Sequence, residues 1–211
     1  MIQFTEMPAS IAALPRDDRG YPVPWFVKWL DGKPEFRVMD TAKWRRAVRE
    51  KLCWVCGERL DPRSHVFVIG PMCAINRVSS EPPSHAACAE FSARNCPFLS
   101  KPAAHRREAN MPEGGSISGI PILRNPGVAC LWFCRGFEVF PDHKGECLIR
   151  LPGPSMVRWY REGRKATRAE IMESIDTGLP ILREMAARQG PAAILALAQA
   201  IQRGLKFVPA A

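Results

Sequence analysis

Cys53-Trp54-Val55-Cys56-Gly57 and His85-Ala86-Ala87-Cys88 are the two stretches whose residue types and spacing could do chemistry. Zinc in structural sites takes four soft or borderline ligands in a tetrahedron, commonly supplied as two pairs. A Cys-x-x-Cys-Gly turn provides one pair, because the tight bend points both sulfurs inward and its amides can hydrogen-bond them. A His and a Cys at i and i+3 provide the other from one face of a helix's first turn, where the positive end of the helix dipole favours a thiolate. The pattern therefore predicts a structural Zn2+ site with Cys53, Cys56, His85 and Cys88 as ligands. Two other readings compete with it. A redox pair would open a long helix after a strand, and Gly57 and Asp61-Pro62 speak against such a helix. Four ordinary buried residues are the other, since free cysteine is commonly core.

The remaining cysteines offer variations. Cys73 and Cys96 are candidates to replace a ligand or to lie just outside the tetrahedron. Cys73, after Gly70-Pro71-Met72, is also a conceivable nucleophile. Cys130 and Cys134 share one face of an expected strand, and with His143 and Cys147 they make a conceivable second metal site, although alternating core cysteines explain them more simply. No P-loop, dinucleotide glycine pattern or nucleophile elbow is present.

The elements that must position the site are legible in outline. Prolines from residue 8 to 34 predict an irregular arm, with a short strand at 27–30 ending at Asp31-Gly32. Trp44, Val48 and Leu52 recur at i, i+4 and i+8 after Asp40-Thr41 and predict a helix of about three turns. Asp61 to Ser64 reads as the bend of a hairpin entering residues 65–69. A loop is expected from 70 to 83, and Ser84 is a good N-cap for a helix through about Arg94. Residues 128–140 read as a strand paired with 147–151. The final third reads as helical, with Thr167 and Glu170 at capping-box spacing, a stop at Gly178, and a break at Gly190-Pro191.

Knuckle, hairpin, then a helix carrying the second pair: over residues 53–96 this order resembles the treble-clef zinc finger, the scaffold also used by HNH nucleases. The segment from the knuckle through Ala89-Glu90-Phe91-Ser92 is also similar to proteins of bacteria and their phages, a likeness that implies no function. The resemblance to HNH enzymes implies a general-base His in the first hairpin strand, an Asn in the loop and a metal-binding His on the helix. His65 and Asn76 stand at the first two places. Ser64 stands where the family has an acid, and Ala89 where the helical His belongs.

Thirty Lys and Arg against twenty-one Asp and Glu give a net charge of +9 and a pI near 9.4, a field that attracts polyanions. Lys43, Arg45, Arg46 and Arg49 surround Trp44, and Arg158, Arg161, Arg164 and Lys165 surround Trp159 and Tyr160. Cations beside aromatic rings suit phosphates and unstacked bases, so both segments are candidate nucleic-acid contacts, while Trp44 and Trp159 are also natural core residues. The expected architecture is α+β: a treble-clef zinc module in a loop-rich body with a C-terminal helical subdomain. Its expected divisions are 1–100, a Gly/Pro-rich linker at 101–127, and 128–211. Met1 to Pro15 lacks the pattern of a secretory signal, and the longest apolar run, Pro191 to Ile201, is too short to span a membrane, so a cytoplasmic protein is expected. Three functions follow from these readings. They are zinc-stabilised nucleic-acid binding, an HNH-like endonuclease, and a module of phage origin that binds a protein partner.

Overall fold

Proline and glycine punctuate the first forty residues, and the chain there folds in short pieces. The structure is a computed structural model that describes residues 4, 6–101, 125–142 and 145–210. Helix α1 is a single turn, Ala9–Ala12. Strands β1 (Val27–Leu30) and β2 (Lys33–Met39) form a hairpin. Asp31 and Gly32 both take positive φ at its tip, as a two-residue turn matched to strand twist requires. The arm is thus less irregular than its prolines suggest, because β1 supplies a partner for residues 33–39.

Asp40 starts α2 (Thr41–Glu50) by accepting hydrogen bonds from the backbone N–H of Ala42 and Lys43. Beyond the metal-ligand candidates come β3 (His65–Ile69), α3 (Pro71–Asn76) and β4 (Val78–Ser79). The expected loop at 70–83 therefore holds a short helix, entered by Pro71 at its first position where no N–H is needed. Then follow α4 (Ala86–Asn95), α5 (Pro97–Ser100), β5 (Ala129–Cys134), β6 (Glu138–Pro141), β7 (Cys147–Arg150), β8 (Met156–Arg161) and β9 (Arg164–Lys165). Helices α6 (Arg168–Gln189) and α7 (Pro191–Leu205) complete the chain. The expected linker falls mostly at 102–124, outside the described residues.

The fold is α+β with a helical C-terminal region. Its central sheet is antiparallel, in the order β3-β5-β8-β9. All six residues of β5 are buried, because this strand is paired on both edges and covered on both faces. Val66, Leu131, Phe133 and Tyr160 face α4, packing against Ala89 and Ala93. Phe67, Cys130, Trp132 and Trp159 share the larger core with residues of α3 and α6. The Trp132 and Trp159 indoles donate to the carbonyls of Pro152 and Phe207, so each buried ring satisfies its polar end. A second sheet, β4-β7-β6, and the β1-β2 hairpin flank this body.

Three boundaries differ from the sequence reading. Residues 128–140 are two strands in different sheets, split where Gly136 takes φ of 68°. Residues 156–165 are strands, not the opening of the helical third. Helix α6 runs through Gly178 and Pro180 to Gln189, because Ile175, Leu179, Leu182 and Ala186 keep one buried stripe across the proline. Helix α7 buries its face toward its C-terminal half, where Gly204 lies against Ile75, and leaves Ile194 and Leu195 50% and 62% exposed near its start.

The capping box at the start of α6 is testable. The Thr167 side chain accepts from the Glu170 N–H, and the Glu170 carboxylate accepts from the Thr167 N–H. A hydrogen bond from Arg164, then those from Thr167, bring the Glu170 pKa down to about 2. A folded-state pKa below the ordinary value of 4.5 stabilises the protein fully above that value and is lost as pH falls toward 2. Thr167→Ala should cost about 1 kcal/mol in urea unfolding. Glu170→Gln should be destabilised at neutral pH, with its deficit against wild type shrinking between pH 4.5 and 2.

Candidate metal centre

The knuckle is built by its own backbone. Cys53 N–H donates to the Glu58 carbonyl at 2.7 Å, Gly57 N–H donates to the Cys53 carbonyl at 2.8 Å, and Leu52 bridges Arg59. Gly57 takes φ of 79°, and a Cβ there would lie 2.7 Å from the Trp25 ring, so the position needs glycine on two counts. Two bonds hold the turn from outside: Trp25 N–H to Val55 O at 2.7 Å, and Trp54 N–H to Pro83 O at 3.0 Å. The Trp54 ring stacks on Phe26 with centroids 4.9 Å apart. Thus the β1-β2 end of the arm and the segment before α4 clamp the same turn.

Helix α4 brings the second pair. His85, not Ser84, is its N-cap residue, and the imidazole makes no capping bond. Ser84 instead bridges Val66 of β3 through paired backbone hydrogen bonds. That bridge delivers the chain back beside β3 and points His85 and Cys88 at the knuckle.

The ligand atoms of Cys53, Cys56, His85 and Cys88 all lie within 4.8 Å of one another. His85 Nδ1 is 3.4 Å from Cys56 Sγ and 3.9 Å from Cys88 Sγ. A tetrahedron with zinc-to-sulfur and zinc-to-nitrogen bonds of ordinary length has edges of about 3.5–3.8 Å. His85 Nε2 donates to the Arg59 carbonyl at 3.0 Å, which fixes the neutral tautomer and leaves the Nδ1 lone pair for a metal. Cys53 Sγ accepts the N–H groups of Cys56 at 3.5 Å and His85 at 3.4 Å. These residues form a compact Cys3His group able to hold a metal ion.

Crowding shifts the protonation of these four groups. Hydrogen bonds from the thiols of Cys56 and Cys88 draw the Cys53 pKa far down. Donating to that thiolate pushes the Cys56 and Cys88 thiols up. The bond with Cys53 raises His85 to about 9. A metal ion must displace the His85 proton and those of the other two thiols, so affinity falls with falling pH.

The other candidates lie elsewhere. Cys73 packs against the main core, and burial raises its pKa to about 11, the reverse of an activated nucleophile. Burial raises Cys96 as well. Cys130 and Cys134 are core residues of β5, whereas Cys147 is exposed in the other sheet and His143 lies outside the described residues. His65 is 4% exposed, with Nδ1 accepting from the Gly136 N–H at 3.2 Å and its ring edge-on to Phe137. Asn76 ends α3 on the surface, and Ala89 is fully buried against the sheet. His65 is therefore a packed, buried strand-end histidine.

The basic segments are largely neutralised from within. Lys43 pairs with Asp40, Arg46 and Arg49 with Glu50, and Arg158 with Glu90. Arg161 pairs with Glu170 and Glu173, and Arg164 with Glu162 and Glu170. Among the described residues only Arg45 and Lys165 of the eight lack an acidic partner, and both are exposed. Trp44 is buried with its indole donating to Ser80 O, Trp159 is core, and Tyr160 O–H donates to Glu90 at 2.8 Å. Both aromatic sets serve the interior. No helix among the described residues is long and apolar enough to cross a membrane.

Sequence reasoning missed two participants, the Arg59 carbonyl and the Ser10 hydroxyl, which lies 3.6 Å from Cys88 Sγ. A backbone acceptor leaves no trace in residue type, and Ser10 is too distant in sequence to belong to a spacing pattern. No known protein family, curated protein or solved structure matches this chain. The site's chemistry thus rests on its own residues.

Elemental analysis separates ligands from bystanders. Cys53→Ser and Cys88→Ser should lose most bound metal, whereas Cys73→Ser and Cys96→Ser should retain the wild-type amount.

Proposed function

We propose that the Cys3His group holds one Zn2+ in a closed structural site, and that the protein is a zinc-stabilised binding module. The carrying observation is the convergence of four ligand atoms within 4.8 Å, with the His85 tautomer already set by Arg59. Three sulfurs and one imidazole suit Zn2+ among the common cellular cations, and four protein ligands leave no open position for a substrate. Cys53 and Cys88 are buried. Knuckle, strand β3, the returning bridge at Ser84 and helix α4 support the treble-clef reading, with α3 and β4 lying between β3 and that bridge. When bound, the ion supplies charge neutralisation and a cross-link. The chain's own part is to hold the thiols together and fix the imidazole.

Chelation should unfold the region rather than merely empty it. Among the described residues, those around the site form a small cluster of Ile11, Val55, Leu60, Phe91 and the three cysteines, with Phe4, Met7 and Leu14 at its edge. So small a core depends on the metal. Titrating zinc-loaded protein with a strong chelator should lower its thermal midpoint by many degrees, and cobalt substitution should give the absorption of a tetrahedral thiolate site. Metal-free protein with an unchanged midpoint sinks this reading.

A second reading, contact with a polyanion, is favoured by the net charge of +9. Internal pairing of most candidate arginines leaves Arg45 and Lys165 as the first residues to test. Binding to single-stranded DNA or RNA should weaken with salt, and Arg45→Gln with Lys165→Gln should each flatten the log-log slope by about one unit. No binding at low salt removes nucleic acid and leaves a protein partner.

A further inference from the structure

The three cysteines are not equally supplied with hydrogen bonds. Cys53 Sγ accepts two backbone amides, from Cys56 and His85. Cys88 sits in the first turn of α4. Among the described residues, its one donor outside the ligand group is the Ser10 hydroxyl, 3.6 Å from Sγ and seventy-eight residues away in sequence. Once Cys88 is a thiolate it can only accept, so the hydroxyl donates.

Ser10 is placed there by packing. Its neighbour Ile11 is 1% exposed and sits among Cys53, Val55, Cys56, Leu60, Cys88 and Phe91. Phe4 lies against Phe91 with ring centroids 5.7 Å apart. The turn itself is closed by the N–H groups of Ile11 and Ala12 donating to the Pro8 carbonyl. The arm therefore lays one apolar side chain over the knuckle and one hydroxyl on the sulfur that the knuckle's amides do not reach.

We infer that Ser10 is a positioning residue of the metal centre, which damps the nucleophilicity of the Cys88 thiolate and slows loss of the ion through that ligand. The inference rests on the zinc reading above. Three thiolates around Zn2+ leave one net negative charge, spread over sulfurs whose reactivity depends on hydrogen bonds received. A sulfur that receives no backbone amide relies on other donors to disperse that charge, and for Cys88 the Ser10 hydroxyl is that donor among the described residues. Removing a partner that orients and tunes a metal ligand typically weakens metal binding by about 10- to 100-fold.

The test uses the full chain loaded with zinc, as wild type, Ser10→Ala, Ser10→Thr and Ile11→Ala. Metal content is measured first. Two rates follow: zinc transfer to a chromogenic chelator, and iodoacetamide labelling at low extent, mapped to each cysteine by mass spectrometry. Ser10→Ala should speed both zinc transfer and Cys88 labelling about tenfold while Cys53 labelling stays near wild type. Ser10→Thr, which keeps a hydroxyl, should restore most of the protection. Ile11→Ala, which thins the packing but keeps the donor, should raise all three ligand cysteines together. Unchanged Cys88 labelling in Ser10→Ala overturns the inference, as does an equal rise at all three sulfurs or an Ile11→Ala pattern identical to that of Ser10→Ala. Wild type that carries no zinc overturns the site and the inference together, and the metal measurement tells that failure apart from the others.

Discussion

Cys53, Cys56 and Cys88 bring three sulfur atoms and the His85 imidazole within 4.8 Å of one another, where the thiols of Cys56 and Cys88 lower the pKa of Cys53 and are raised in turn. Everything around them makes that crowding tolerable. Backbone amides are aimed at Cys53, the Arg59 carbonyl orients His85, and Trp25 closes over Gly57 where any larger residue would collide. A bound cation converts the crowding from a cost into a cross-link between the α2-β3 connection and the start of α4. By the chain-entropy argument used for disulfides, closing a loop of about thirty residues is worth about 3–4 kcal/mol, which is a large share of a domain's typical stability.

A cation held there would also tie the knuckle to the start of α4. Strand β3 lies in the central sheet beside β5, and α4 covers the face of that sheet made by Val66, Leu131, Phe133 and Tyr160. Both elements are therefore fixed by the body of the fold. Between them α3 docks under α6 and α7, and β4 joins the second sheet. The metal group stands at the one place where the knuckle, the arm and the start of α4 meet, and where apolar side chains are few.

The Cys3His group able to hold a metal was legible because metal coordination imposes short spacings on chemically distinctive residues. The α+β class and the helical C-terminus were legible because periodicity and caps are local, as at Asp40 and Thr167. What was not legible depends on contacts distant in sequence. Met156 to Arg161 reads as a basic patch, yet it is a strand whose Trp159 and Tyr160 point to opposite covered faces and whose arginines are met by acids on α4 and α6. Gly178 reads as a stop, yet the buried stripe of α6 carries the helix past it. Ser84 reads as a cap, yet its backbone is engaged by Val66, so the helix begins after His85. In each case a local preference worth about 1 kcal/mol gave way to burial or to a backbone bridge distant in sequence.

Helix α7 is fastened by one end. Leu197, Ala200, Ile201 and Leu205 pack toward the core and Gly204 sits tightly on Ile75, whereas Ile194 and Leu195 near its start stand largely in water. Resistance to local opening follows burial, so it rises along this helix from its first turn to its last. Amide protons near Ala193 to Ala196 should therefore belong to the first unit to exchange with solvent, while those near Gly204 exchange with the core. The helical hairpin unzips from its tip at Gly190, and the C-terminal end of the chain is among the last parts to let go.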